Sequence, residues 1–148
     1  MPRSCFVWIR RDPRATALSL LEMRRSLFGS VEAWASLRPR GADWLQGEPP
    51  WRQVAGQVVA LERTLRAAAD ALGPETVLEL GYEELCADPR SALERVCSLL
   101  AGKGFEPARR ELPVTSFEPR RRDPLEEEFG ALVDEALEEF LASPTGAG

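Results

Sequence analysis

The stretch Cys5–Leu21, CFVWIRRDPRATALSLL, decides how this chain is read. Cys5–Ile9 is a short apolar run of β-branched and aromatic character, the pattern of a buried strand. Arg10 and Arg11 lead out of it, Asp12 stands where a helix N-cap is wanted, and Pro13 takes the first helical position. The helix is predicted to run from Pro13 to about Phe28, with Ala17, Leu20, Leu21, Arg24 and Leu27 on one period turned toward the sheet. The first amides of a helix lack internal partners and its dipole favours negative charge there. An arginine just outside that end adds a fork of donors suited to phosphate. Ser19 lies seven residues beyond Asp12, about 700° around the helix and so within about 20° of the same face. Arg11 and Ser19 are therefore candidates to grip one anion along that face. A capped helix with a solvated arginine accounts for the same letters.

Outward from this stretch, Val31–Leu37 is expected as a second short helix and Arg38–Pro50 as a Pro/Gly-rich loop. Trp51–Leu72 carries an apolar stripe at Trp51, Val54, Val58, Leu61, Leu65, Ala68 and Leu72, ended by Gly73-Pro74. Thr76–Leu80 reads as a strand and Gly81-Tyr82 as a turn. Asp88-Pro89 then repeats the pairing of Asp12-Pro13 and opens a helix to about Ala101. Two strands that each feed a helix imply a parallel pair. Phe105–Asp123 is irregular, Pro124–Leu141 is the last helix, and residues 142–148 form a frayed tail. Seven acids and no base cover the polar side of that last helix, a solvated surface or a face for a basic partner.

The length of 148 residues fits one domain with its own core, and 44% hydrophobic with 29% charged residues fits an ordinary soluble protein. The net charge of −5 is uneven: residues 1–40 hold eight arginines and three acids, so the rest is strongly acidic. With one lysine in the chain and no aromatic–basic interleaving, a small anionic ligand explains the basic end better than nucleic acid does. The chain has no histidine, which excludes Ser-His and Cys-His catalytic pairs and histidine metal sites; no metal is expected. Cys5, Cys86 and Cys97 are odd in number, lack C-x-x-C spacing and read as free thiols in a reducing compartment. No apolar run approaches a signal peptide or a membrane span, and a cytoplasmic location is expected.

R-D-P with a serine eight residues after the arginine, directly behind an apolar strand, resembles the 3'-phosphate-binding motif of the sulfotransferases that use 3'-phosphoadenosine 5'-phosphosulfate (PAPS). Leu78–Gly102, LELGYEELCADPRSALERVCSLLAG, is similar to that family's strand, Y-E-D-L turn and following helix. The resemblance implies an α/β fold: a partial P-loop-like parallel sheet of about two strands with surrounding helices, mostly helical by residue count. It implies that Arg11 and Ser19 hold the 3'-phosphate of PAPS, that Tyr82 reaches the adenosine, and that Glu83 and Glu84 brace the turn. Arg120 and Arg121, with Arg122, correspond to a C-terminal basic segment over the same phosphate, although Asp123 and Pro124 stand where that segment usually has glycine. Trp34, Trp44 and Trp51 flank the loop where an acceptor would lie, as an aromatic wall or as packing.

The resemblance spans about residues 5–102, roughly the C-terminal half of a complete enzyme. The family's Gly/Ser/Thr-rich loop for the 5'-phosphosulfate and its acid–base residue precede the R-D-P motif and have no counterpart here. Gly102-Lys103-Gly104 follows a helix, where such a loop should follow a strand. The expectation is a single domain holding the 3'-phosphate and adenosine half of a PAPS-dependent transferase, inactive alone, with no catalytic residue in it. It is a fragment or truncated frame, or is completed by another chain, and open sheet edges would favour self-association. The alternative is a non-catalytic helical adaptor that makes protein contacts through the acidic last helix and the Trp51–Leu72 helix.

Overall fold

The computed structural model describes residues 4–106, 113–118 and 125–143. In chain order the elements are β1 (Phe6–Arg10), α1 (Pro13–Phe28), a 3-10 turn (Asp43–Leu45), α2 (Pro50–Leu72), β2 (Val77–Gly81), α3 (Tyr82–Ala87), α4 (Pro89–Gly102) and α5 (Glu126–Ala142). This is a mixed α/β fold, mostly helical, with a two-stranded parallel sheet among the described residues. The chain divides into two compact units, Met1–Arg11 with Arg66–Arg120 and Asp12–Leu65 with Arg121–Gly148.

In the first unit β1 and β2 pair in parallel with Phe6 opposite Val77 and Arg10 opposite Gly81. The expected burial of β1 does not hold: Phe6 is 53% exposed, Val7 41% and Ile9 50%. These residues alternate across both faces of the strand, so neither face is closed. An unbroken apolar run suits a strand covered on both sides, and here that pattern meets solvent. β2 is better covered, with Leu80 buried beneath α3 and α4. Asp88 caps α4 as the sequence predicts, its carboxylate accepting from the Ser91 amide at 3.0 Å. The turn after β2 is itself helical, forming α3.

The second unit is built on α1, the first part of α2 and α5. Ala17, Leu18 and Leu21 of α1 pack with Val54, Ala55, Val58 and Val59 of α2 and with Phe129, Val133, Ala136, Leu137 and Phe140 of α5. The Asp12 carboxylate caps α1 by accepting from the Ala15 amide at 2.8 Å, and Gly29 ends it in the left-handed conformation. Two features of the predicted faces are corrected. On α1, Leu27 is exposed although Arg24 of the same period is fully buried, and on α2 burial runs unbroken from Val54 to Val59 whereas Leu65 and Leu72 face solvent. Around Gly56 the helix is approached so closely that a Cβ there would overlap a methyl of Leu45 and lie 2.9 Å from the Trp44 ring.

Val31–Leu37 is not the expected helix. Its carbonyls are taken by side chains instead: Arg24 Nη1 donates to Val31 O at 3.2 Å, and Gln57 Nε2 donates to Ala35 O at 3.3 Å and Leu37 O at 2.6 Å. Carbonyls claimed by buried side chains cannot close helical turns, and Ser36 at φ +68° breaks the segment further.

The acidic side of α5 is not simply solvated. Arg14 pairs with Glu126 and Asp134, Arg25 with Glu128 at 2.6 Å, and Arg52 with Glu139 at 2.7 Å. The basic partner of that face is supplied by α1 and α2 of the same unit, and each pair stays partly exposed. Hydrogen bonding to Glu126, then to Asp134, pushes the Arg14 guanidinium above its ordinary value; Glu139, then Glu48, does the same for Arg52.

Candidate functional site

In the first unit, the register of the sheet sets the geometry. Because Arg10 lies opposite Gly81, the next residues on the two chains, Arg11 and Tyr82, leave the same carboxyl end of the parallel pair side by side. Open parallel sheets bind ligands at that end. The Arg11 guanidinium carbon lies 4.9 Å from the centroid of the Tyr82 ring, and both residues are half-buried. A guanidinium over an aromatic face is held by the ring quadrupole. Two residues predicted for one site are thus in contact.

Arg10, the neighbouring cation, is turned to other work. It lies 3.6 Å from Glu79 and 5.3 Å over the Trp8 ring, and Arg66 of α2 reaches the same carboxylate and the same ring, at 4.8 Å from its centroid. Glu79 thus anchors a cluster of two arginines beside β1. The turn carrying Tyr82 is braced from behind. The Glu84 carboxylate lies 3.4 Å from the Gly81 amide and accepts from Arg95 Nη1, while Arg95 Nη2 donates to Glu79 O at 2.8 Å. Glu84 therefore braces the turn, as expected, and Glu83 is exposed. Arg95 is the residue that sequence reasoning missed. It sits 11 positions from its partner on another helix, and no local spacing signals the pair.

In the second unit, the N-terminus of α1 is already answered from within. Asp12 Oδ1 takes the Ala15 amide, Asp12 O takes the Thr16 amide, and Pro13 has none to offer. An anion beside α1 therefore depends on side chains more than on backbone amides. Ser19 lies half-buried on the second turn of this helix. The three tryptophans do not form one wall. Trp44 packs edge-on against Phe140 with centroids 5.2 Å apart, and Trp51 packs against Phe129 at 6.2 Å, so both serve the core. Trp34 contacts two cations, with Arg24 at 5.1 Å and Arg38 at 4.8 Å from its ring centroid. Arg120 and Arg121, the predicted basic segment, lie outside the described residues.

Cys5, Cys86 and Cys97 are free, with Cys86 buried. Among the described residues no cluster of carboxylates and thiols is arranged to hold a metal, and no helix is long and apolar enough to cross a membrane.

No curated protein and no solved structure matches the chain. A family model described as the sulfotransferase family matches residues 1–106, which include the R-D-P strand and helix, β2, the Tyr82 turn and all of α4. With most of its length under that match, and with the arginine and tyrosine of the two motifs in contact, the chain belongs to the sulfotransferase family.

Proposed function

We propose that this chain binds the 3'-phosphate and adenosine of PAPS and serves the transfer of its sulfuryl group to a hydroxyl or amine. Family membership supports the donor, since PAPS is the donor this family generally uses. The observation that carries the assignment of residues is the Arg11–Tyr82 contact at the carboxyl end of the parallel pair. In this reading Arg11 offers its fork to the 3'-phosphate and the Tyr82 hydroxyl meets the adenine.

Sulfuryl transfer needs a positioned donor and stabilisation of the charge that develops on the transferred group. The residues assigned here position the donor. The sequence holds no Gly-rich loop behind a strand to receive the 5'-phosphosulfate, so binding is expected of this chain alone and efficient transfer is not. The three free thiols favour a reducing compartment such as the cytoplasm. On the acidic face the adaptor reading relied on, Glu126, Glu128 and Glu139 pair with Arg14, Arg25 and Arg52, while Glu127, Glu135 and Glu138 are exposed.

Calorimetric titration with 3',5'-bisphosphoadenosine tests the proposal. Saturable binding that falls by about tenfold or more in Arg11→Ala, the loss of one charge-assisted contact, is the expected result. Well-folded protein that binds none of it would contradict the proposal.

A further inference from the structure

Arg24 is the most unusual side chain of the second unit. Its side chain is 0% exposed, and no carboxylate among the described residues forms an ion pair with it. Nη1 is used, donating to Val31 O at 3.2 Å and to Gln53 Oε1 at 2.9 Å. Nε and Nη2 have no partner. Those two N–H groups lie on one edge of the guanidinium and point the same way, forming the fork that accepts two oxygens of a carboxylate, sulfate or phosphate. Nearby on α2, Gln57 is also fully buried and its Oε1 is likewise without a partner.

A buried cation left with an empty fork costs stability that an apolar residue of the same size would not. What covers it is weakly built. Residues 31–38 make no backbone–backbone hydrogen bonds among the described residues. They are fastened by the Arg24 and Gln57 side chains and by the ring of Trp34, and they contain Ser36 at φ +68°. A second cation, exposed Arg38, also lies 4.8 Å from the Trp34 ring centroid.

We infer that Arg24 is the receiving group of a second, closed binding site for an oxyanion presenting two acceptor oxygens, entered when residues 31–38 lift, with Arg38 also beside the Trp34 ring. The site lies wholly in the second unit and does not rest on the nucleotide reading. The oxyanion is either free in solution or carried as the carboxylate of an organic molecule. Both use the same fork.

The test is tryptophan fluorescence and thermal unfolding of the full chain, titrated with sodium sulfate, sodium phosphate or sodium acetate at constant ionic strength set by sodium chloride. A saturable change with a rise in Tm is expected. Sulfate and phosphate are expected to bind tightest if the natural ligand is a free anion, and acetate if it is a carboxylate. Trp34→Phe should lose the fluorescence part of the response. Arg24→Met should abolish it while raising Tm in anion-free buffer, because the desolvated guanidinium with its empty fork is gone. Arg24→Lys, which keeps the charge and removes the fork, should weaken it by about tenfold or more and decides the matter if Arg24→Met does not fold. No saturable response in the unaltered protein, or an equal response in whichever Arg24 variant folds, would overturn the inference.

Discussion

The Arg11 guanidinium rests 4.9 Å from the Tyr82 ring centroid, and the parallel register that places Arg10 opposite Gly81 brings the two together. A stacked arginine has fewer orientations to lose when it meets an anion. Tyr82→Leu removes the ring and is expected to weaken 3',5'-bisphosphoadenosine binding by about 2- to 5-fold through Arg11 alone, the worth of an exposed cation–π contact. Tyr82→Phe keeps the ring and loses only the hydroxyl's bond to the base. Calorimetry on the two variants separates these contributions; binding unchanged in both would remove Tyr82 from the site.

Acid should loosen the second unit. Hydrogen bonds from Arg14 and Arg52 hold the Glu126 and Glu139 carboxyls below the ordinary value of 4.5. A carboxyl depressed in the folded state stabilises it fully above the unfolded value, and that stabilisation is lost as pH falls through the lowered folded one. Tm should therefore fall on acidification below about pH 4.5, and the fall should be shallower in Glu126→Gln/Glu139→Gln. Because these pairs are partly exposed the effect at neutral pH is small. Equal pH profiles for the two proteins would contradict this.

Gly56→Ala is a test of packing. Alanine is favoured over glycine in a helix by about 1 kcal/mol, yet its Cβ would overlap a Leu45 methyl and lie 2.9 Å from Trp44. Overpacking of this kind costs about 1–3 kcal/mol. The expected outcome of denaturant unfolding is net destabilisation, relieved in part by Leu45→Ala. A more stable Gly56→Ala would show that the contact gives way easily.

The open faces of β1 should make the protein self-associate. Phe6, Val7 and Ile9 are all exposed on a strand of a two-stranded sheet. Strand edges and apolar faces of this kind recruit further strands. Ile9→Lys is expected to lower the apparent mass at high concentration in light scattering with little change in Tm. A monodisperse monomer before and after the change would contradict the expectation.

What could be read from the sequence follows from how local each signal is. Asp12-Pro13 and Asp88-Pro89 located two helix starts because an N-cap acts within one turn. The pairing of Arg11 with Tyr82 was reachable because each sits one residue beyond a strand and parallel strands share a carboxyl end. Residues 31–37 were misread because their conformation is dictated by Arg24 and Gln57, which lie well away in sequence. Arg24 itself fell on the apolar period of α1 and was counted there for its spacing. Its burial without an ion pair had no local sign. The acids of α5 looked unpaired for the same reason, since Arg14 and Arg25 come more than a hundred residues earlier.

Arg11 is proposed to recognise a phosphate on the ribose 3'-oxygen. The most direct measurement is the ratio of dissociation constants for adenosine 5'-monophosphate and 3',5'-bisphosphoadenosine, which differ only in that group. Charge-assisted bonds of about 1.5–3 kcal/mol predict at least tenfold tighter binding of the bisphosphate, with the ratio falling toward one in Arg11→Ala. Equal affinity for the two nucleotides in the unaltered protein would contradict the account.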